Sequence, residues 1–222
     1  MVARPAALLL LLLSLVAAAT AQLAKNRFEQ DLLAQKRAIK NWADFAAANG
    51  IQGWEDEYKR PGATDVCQWT GIGCSPYDQS VISLDLACGN YAGAPLCKVK
   101  ARGTLAPELA NTTTLLELCL SGQQFTGTLP ASWGGNTSFQ SLQTLSLYSN
   151  QLRATLPASW SGQGACPELQ KLDLSDNRLG GTLPDSWAAG FPKLELLYLG
   201  NNTYFEGTLP ASWATLPALR AL

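Results

Sequence analysis

The sequence predicts an α/β solenoid, in which similar coils of chain stack side by side around one continuous core. A phrase of the form Thr-Leu-Pro-x-Ser-Trp occurs four times, with its leucine at positions 129, 156, 183 and 209. Runs of the form Leu-x-x-Leu-x-Leu-x-x-Asn precede two of these phrases, at 142–150 and 169–177, and looser runs stand at 115–123 and 194–202. Self-similarity at a period of 26–27 residues is typical of solenoid proteins, in which each unit contributes one structural repeat.

These runs and phrases resemble leucine-rich repeats of the plant type, whose units continue Gly-x-Leu/Ile-Pro-x-x-Leu after the asparagine. Tryptophan replaces the last leucine of that motif at positions 133, 160, 187 and 213, a variant similar to repeats of green-algal proteins. The unit at Gly103–Leu109 keeps the leucine but has its proline displaced by one position. The resemblance implies a leucine-rich repeat horseshoe with a parallel sheet on its concave side. It also implies a helical, disulfide-linked amino-terminal cap.

Residues 1–21 are predicted to be a secretory signal peptide. Arg4 is followed by an apolar run over 6–19, and Ala19-Thr20-Ala21 forms a small-x-small cleavage site. The run is shorter than the roughly 18 residues expected of a membrane span. An uncleaved anchor is the alternative, and no later stretch is a candidate span. We therefore expect a secreted or cell-surface protein.

Residues 22–80 are predicted to form the amino-terminal cap of the repeats. Apolar residues recur at helical spacing over 27–48, which predicts a helix that covers the open end of the first strands. The pattern Cys67-x-Trp-x-Gly-x-x-Cys74 is similar to the plant-type cap and implies a disulfide between these two cysteines. A metal site is less favoured, because no second cysteine pair or histidine completes four ligands.

Residues 81–222 are predicted to hold about five repeats. The first repeat carries about seven extra residues, and a bond between the flanking Cys88 and Cys97 is the favoured interpretation. Cys119 lies on the outward side of its predicted strand and Cys166 lies in a loop, so the two are not expected to meet. Either cysteine is free, or Cys166 pairs with a residue that this chain lacks. The last repeat, which opens at Leu219, is incomplete, so we expect a longer protein.

The recurring polar and aromatic positions are predicted to be structural. Asn150, Asn177, Asn202 and Gln123 fall where each strand turns away, and we expect their amides to bind backbone groups that no strand ladder reaches. The row of tryptophans could be a platform for stacking carbohydrate. A row in register with the repeat is better explained as core, with each indole N–H bound to a carbonyl group.

The variable strand positions are the predicted binding surface. Side chains alternate along a strand, so the residues between the leucines point out on the concave face. The predicted binding residues are Glu117, Thr144, Ser146, Tyr148, Lys171, Asp173, Ser175 and Tyr198, and Cys119, Ser121 and Leu196 share this face. An ordinary solvated sheet is the alternative. Glycosylation sequons begin at Asn111, Asn136 and Asn201, and the last borders the predicted surface.

Composition narrows the possible functions. A formal net charge of −1 gives no reason to expect nucleic acid as a partner, and the absence of histidine removes histidine bases and metal ligands. We predict no catalytic residues, cofactor or metal site. The favoured function is an extracellular module that binds a protein, peptide or glycan, as a secreted recognition protein or a receptor-like ectodomain; membrane association requires a later span in the full-length chain. A secreted enzyme inhibitor resembling polygalacturonase-inhibiting proteins and an intracellular or ciliary scaffold are the alternatives.

Overall fold

The computed structural model describes residues 20–27, 29–30, 33, 66–68, 71–86, 101–162 and 164–220. Cys88 and Cys97 lie outside these residues, as does most of the predicted helix over 27–48. Residues 20–27, which span the predicted cleavage site, are helical and exposed. Within the described segments, no helix combines the length and apolarity that a membrane crossing needs.

A six-stranded main sheet runs along one side of the molecule. Its strands, numbered in chain order with those of the other sheets, are β1 (Ile72–Cys74), β2 (Val81–Asp85), β4 (Glu117–Cys119), β6 (Thr144–Ser146), β8 (Lys171–Asp173) and β10 (Leu196–Tyr198). They lie in the order β1-β2-β4-β6-β8-β10. The five strands from β2 onward are parallel, whereas β1 pairs with β2 in the antiparallel direction. The predicted leucine-rich repeat fold, with its parallel sheet, is confirmed.

The main sheet stacks equivalent positions of successive repeats directly beside one another. Leu118 pairs with Leu145, Leu145 with Leu172, and Leu172 with Leu197. All four leucines are at most 1% exposed, because their side chains point into the stack of coils. Replacing a buried leucine of this kind by alanine typically costs about 2–5 kcal/mol.

Shorter strands form a second layer that the sequence analysis did not predict. They are β3 (Arg102–Thr104) and β5 (Gln124–Thr126) in one pair, and β7 (Arg153–Thr155), β9 (Arg178–Thr182) and β11 (Tyr204–Glu206) in a three-stranded group. Backbone bonds from Gln151 N to Phe125 O (2.8 Å) and from Arg153 N to Gly127 O (2.9 Å) link β5 to β7. We call these five strands together the second sheet.

The second sheet has a different register from the main sheet. Arg153, three residues before Leu156, pairs with Arg178, which stands five residues before Leu183. The pairs Arg102 with Gln124 and Gly180 with Tyr204 show the same displacement. Each coil is therefore shifted by two residues relative to its neighbour on this side, whereas the main sheet has no such shift.

Short helical turns complete each coil. They are the 3₁₀ turns η1 (Val66–Gln68), η2 (Pro107–Asn111), η3 (Ala131–Gly134), η4 (Ala158–Ser161) and η5 (Ala211–Thr215), and one turn of α-helix, α1 (Trp187–Gly190). The repeated proline stands at the N-cap of η3, η4 and η5 with an extended backbone. A Cβ atom added at Gly134 would lie 2.3 Å from the carbonyl oxygen of Ser159, so adjacent turns pack backbone against backbone.

The repeated tryptophans form a stacked column inside these turns. Trp133, Trp160 and Trp187 are each 1% exposed and Trp213 is 3% exposed. Successive rings lie 6.0 Å apart between centroids with interplanar angles of 4–18°. Each indole Nε1 donates to a carbonyl oxygen of the preceding coil at 2.9–3.1 Å, on Ala106, Pro130, Pro157 or Pro184. The prediction that the tryptophans belong to the core is confirmed.

A second buried column stands next to the tryptophans. Phe139 and Phe191 contact Trp133 and Trp187 edge-on, with centroids 5.2 and 5.3 Å apart. Cys166 stands at the equivalent position of the coil between them, three residues before an inward leucine in each case, and is 3% exposed. Cys166 is therefore a small core residue in an aromatic column, and it is a free thiol.

The amide side chains that recur in the repeats bridge neighbouring coils where the main sheet ends. Asn177 Nδ2 donates to Leu147 O of the preceding coil at 3.0 Å and to Leu174 O of its own coil at 3.1 Å. Its Oδ1 atom accepts a bond from Leu152 N at 3.0 Å. Asn150 and Asn202 make the equivalent bonds. Gln123 replaces asparagine in an earlier coil, where it accepts from Ala101 N at 2.7 Å and donates to Leu86 O. The predicted structural role of these amides is confirmed.

The amino-terminal edge of the main sheet carries the predicted disulfide. Cys67, in η1, is bonded to Cys74, the last residue of β1, with their Cα atoms 5.7 Å apart. The bond ties η1 to the antiparallel β1–β2 pair that begins the sheet. Cys119 and Cys166 are free thiols and do not bond to each other, as expected from their separate positions in the repeats.

Candidate functional site

The outward side chains of the main sheet form straight rows, because the strands are paired without a register shift. One row contains Ser83, Glu117, Thr144, Lys171 and Leu196, and the next contains Asp85, Cys119, Ser146, Asp173 and Tyr198. All ten alternate with buried residues of their strands and are half-buried or exposed. The structure therefore brings the predicted strand positions together on one surface, which we call the strand face.

Two tyrosines project from the strand face. Tyr148 follows β6 and is 41% exposed, and Tyr198 ends β10 and is 36% exposed. The Lys171 Nζ atom lies 5.8 Å from the centroid of the Tyr198 ring, a distance that allows a cation–π contact. A lysine held beside a tyrosine offers a partner an aromatic surface and a positive charge at one place.

Short hydrogen bonds hold the polar groups beside Tyr198. Asp173 Oδ1 accepts bonds from Ser175 N at 3.1 Å and Ser175 Oγ at 2.5 Å. Farther along the sheet, the hydroxyls of Ser121 and Ser146 lie 2.7 Å apart. These side chains need little further ordering to meet a ligand, because their neighbours already restrict their rotamers.

The amino-terminal half of the strand face is acidic. Cys119 stands between Asp85 of β2 and Glu117 of its own strand. Burial and, to a smaller extent, the carboxylates of Asp85 and Glu117 raise the pKa of the Cys119 thiol to about 11, against the opposing charge of Lys171. The thiol is therefore neutral at physiological pH, and a thiolate nucleophile is not available there.

Sequence reasoning did not single out Asp85 or Asp176 at this surface, and it named Asn201 only as a glycosylation sequon that borders it. Asp85 occupies in the first repeat the row position that Asp173 occupies in a later one, so the repeat alignment could have indicated it. Asp176 and Asn201 lie in the turns after β8 and β10, and Asn201 Nδ2 donates to Asp176 Oδ1 at 2.7 Å. The sequence of one repeat does not indicate a hydrogen bond of this kind, because the bond joins the turns of two adjacent coils.

The three predicted glycosylation sequons are in different surroundings. Asn111 ends η2 and Asn136 follows η3, and both are exposed on the side of the short turns. Asn201 is also exposed but lies at the edge of the strand face, bonded to Asp176. A glycan on Asn201 would be attached to the nitrogen that donates to Asp176, at the edge of the strand face, whereas glycans at the other two positions would leave the strand face open.

The described residues offer chemistry suited to non-covalent recognition. They contain no group of three or more His, Cys, Asp or Glu side chains that could hold a metal ion. Hydroxyl, carboxylate, ammonium and phenol groups alternate over the rows, and these groups can bind a polar ligand through hydrogen bonds and aromatic contacts.

Comparison with known proteins agrees with the fold. A leucine-rich repeat family model matches residues 167–222, and another leucine-rich repeat model matches residues 141–162. A probable leucine-rich repeat receptor-like serine/threonine-protein kinase from Arabidopsis thaliana is 38% identical over 66 residues, which are 30% of this chain. The matched segment is only 8% of that kinase, so the chain spans a small part of the relative's length.

Solved structures of plant receptor proteins have the same architecture. A chain of the BIR3–SERK2 complex from Arabidopsis thaliana superposes with a TM-score of 0.60 at 25% identity, over 77% of this chain and 87% of that one. The plant peptide hormone receptor RGFR1, in complex with RGF2, superposes with a TM-score of 0.50 at 27% identity, over 55% of this chain and 18% of that one. These comparisons give the resemblance to green-algal repeats no support. The protein therefore has the leucine-rich repeat fold and is similar to the leucine-rich repeat ectodomains of plant receptor proteins.

Proposed function

We propose that this chain is a non-catalytic extracellular recognition module that binds a peptide or protein segment on its strand face. The observation that carries the proposal is the continuous surface formed by Tyr148, Lys171, Asp173, Ser175 and Tyr198 on a sheet whose register the repeats dictate. The similarity to a plant peptide hormone receptor in complex with RGF2 supports a peptide as the ligand class. The predicted signal peptide supports a location outside the cell.

The strand face has the physical properties that recognition requires. Its backbone is held by strand pairing on both sides and by the buried amides below, so binding does not have to order it. Tyrosines supply large contact areas with few rotatable bonds, and they are enriched among residues that dominate binding energy. Lys171 and Asp173 provide opposite charges beside Tyr198, which favours a defined orientation of the ligand.

The proposal is tested by selecting ligands and then removing the tyrosines. A displayed peptide library is screened against the purified 222-residue chain, and the affinity of each selected peptide is measured by calorimetry. Tyr148→Ala and Tyr198→Ala should each weaken binding by about tenfold or more, since truncating a central tyrosine commonly costs more than about 1.4 kcal/mol.

Ser132→Ala is the matched control, because Ser132 is exposed on η3 at the other end of the coil. It should leave affinity unchanged. Peptides that lose binding to the Ser132 variant but not to the tyrosine variants would show that the short turns, and not the strand face, carry recognition. A fold measurement by circular dichroism on each variant separates lost binding from lost structure.

A further inference from the structure

Two arginines lie side by side on the second sheet. Arg153 of β7 and Arg178 of β9 are register partners in a parallel pair, which places their side chains on the same face about 4.8 Å apart at the backbone. Leu152 precedes Arg153 and Leu179 follows Arg178, and both leucines are fully buried. Because side chains alternate along a strand, the two arginines point away from the core, and both are exposed.

No carboxylate in the described part of the chain compensates this arginine pair. The ion pairs there join Lys25 with Glu29, Lys193 with Glu168, and Arg220 with Glu195. The strands of the second sheet contain a single carboxylate, Glu206, which is in register with Thr182 at the far end of β9. Like charges directly opposite each other on neighbouring strands destabilise a sheet. The pair therefore carries an electrostatic cost that none of the ion pairs among the described residues offsets.

The register shift of the second sheet creates the pair. In the repeat alignment, Arg153 corresponds to Gly180 and not to Arg178, so a sheet without the two-residue shift would separate the guanidinium groups. Tyr204 of β11 pairs with Gly180 and is 61% exposed beside the arginines. The surface thus presents two planar guanidinium groups next to an exposed aromatic ring.

From this arrangement we infer that the outward face of the second sheet is a docking surface for an acidic segment of a partner protein. Guanidinium groups bind carboxylates through two parallel hydrogen bonds, which a lysine cannot reproduce. Arginine and tyrosine are enriched at protein interfaces, whereas lysine is depleted, and the strands of this sheet contain two further residues of that kind, Arg102 and Tyr204, and no lysine. A carboxylate bound across the pair neutralises the repulsion between its members. This surface is separate from the strand face and does not depend on the function proposed for it.

The inference is tested with a short oligoglutamate peptide and the full 222-residue chain. Binding is measured by fluorescence anisotropy at low salt and at physiological ionic strength. The wild-type chain should bind the peptide, with affinity that falls as salt rises. The double variant Arg153→Gln/Arg178→Gln should bind at least about tenfold more weakly, because both bidentate sites are lost.

Two matched variants sharpen the test. Lys193→Gln/Arg220→Gln removes the same number of positive charges from residues that are already ion-paired and lie outside the second sheet, and it should bind within about twofold of wild type. Arg153→Lys/Arg178→Lys keeps the charge but not the planar geometry, and it should bind with intermediate affinity. The glutamine variant should also unfold no more easily than wild type, since it removes a repulsive pair.

The outcomes are decisive in both directions. Equal loss in the arginine and control variants, or no binding of oligoglutamate by the wild type, would overturn the inference. Binding of polygalacturonate with no binding of oligoglutamate would replace the acidic protein segment by an acidic polysaccharide. Loss of oligoglutamate binding on Tyr148→Ala/Tyr198→Ala would move the site to the strand face.

Discussion

The two bends of each coil are stabilised by opposite kinds of chemistry. Where the chain leaves the main sheet, the buried amides of Asn150, Asn177 and Asn202 are 7–9% exposed and bind backbone groups on two coils. Where it leaves the second sheet, the tryptophan column fills the interior with rings that are 1–3% exposed. One bend is held by directional hydrogen bonds, and the other by apolar area.

This difference teaches how each bend should respond to substitution. An amide satisfies a donor and acceptors at fixed positions, so a residue of similar size without those groups leaves backbone atoms unpaired. A tryptophan contributes mainly by the area it buries, so a smaller apolar residue retains part of its contribution. Substitutions can therefore destabilise the tryptophan bend and the amide bend independently of each other.

The largest effect is expected at the tryptophan bend. Trp160 stacks between Trp133 and Trp187, so Trp160→Ala should lower the free energy of unfolding by about 3–5 kcal/mol, whereas Trp160→Leu should lose distinctly less. Urea denaturation followed by circular dichroism measures both. Trp213→Ala is the comparison variant. Trp213 stacks on one tryptophan instead of two, so its removal should lower the free energy of unfolding by less than Trp160→Ala does. Equal costs for the leucine and alanine variants would show that buried area does not govern this bend.

Removing a buried amide should lower the free energy of unfolding slightly less than removing a tryptophan. A substitution that restores only part of the amide should not recover this loss. Asn177→Ala leaves Leu152 N without its partner and removes one of the two amide donors at each of Leu147 O and Leu174 O, so it should cost about 1–3 kcal/mol. Asn177→Asp retains the acceptor but loses both donors, so it should not restore stability at neutral pH. The control is Gln143→Ala, which removes an exposed amide, and it should change the urea midpoint little. A stable aspartate variant would contradict the need for a donor.

A smaller effect is expected where the second sheet ends. Gly127, Gly181 and Gly207 have φ angles of 73–81°, and Ala154, the equivalent residue of the coil between those of Gly127 and Gly181, has φ of 75°. A left-handed conformation costs a residue with a Cβ atom about 1–2 kcal/mol, partly offset by the greater freedom of glycine in the unfolded chain. Ala154→Gly should therefore stabilise the protein by up to about 1 kcal/mol.

The reverse substitution is the matched test of the same position. A Cβ atom on Gly181 would lie 2.7 Å from Thr155 Cγ2, so Gly181→Ala should destabilise the protein by more than Ala154→Gly stabilises it. Thermal unfolding of both variants measures the difference. Destabilisation by Ala154→Gly would mean that its methyl group makes a favourable contact that outweighs the backbone strain.

The smallest effect concerns the two free thiols, one on each side of the coil. Burial raises the pKa of Cys166, in the aromatic column, from 9.0 to about 12, and burial with nearby carboxylates raises that of Cys119 to about 11. A raised folded-state pKa contributes stability below pH 9 that is lost as pH rises through the folded value. The stability of Cys166→Ser should therefore fall less steeply than that of wild type between pH 9 and 12, as measured by urea denaturation at each pH.

Alkylation distinguishes the two thiols independently. Cys119 is half-buried on the strand face, whereas Cys166 is buried beside Trp133. Iodoacetamide should modify Cys119 first in the folded protein, and Cys166 only on unfolding. Rapid modification of Cys166 in native conditions would show that the tryptophan side opens more readily than the amide side.

Features confined to one coil were predictable from the sequence. The leucine spacing specified which side chains point inward, the asparagine position specified a bend with unpaired backbone groups, and the tryptophan recurred in register with the core. The Cys67–Cys74 bond was implied by a short cap motif whose two cysteines are seven positions apart. The strand-face residues were also placed correctly, because alternation along a strand determines which of them point outward.

Relations between coils were decided by the tertiary structure. The sequence alone did not predict the second sheet, its two-residue register shift, the pairing of Arg153 with Arg178, or the bond from Asn201 to Asp176. It placed Cys166 correctly in a loop but did not predict that this loop residue is buried between Phe139 and Phe191 when the coils stack. Periodicity specifies the position of a residue within its own repeat, but the contacts of that residue depend on how far each coil slides past the next. That displacement is determined by the packing of tryptophans, short turns and strands in three dimensions, which no single repeat encodes.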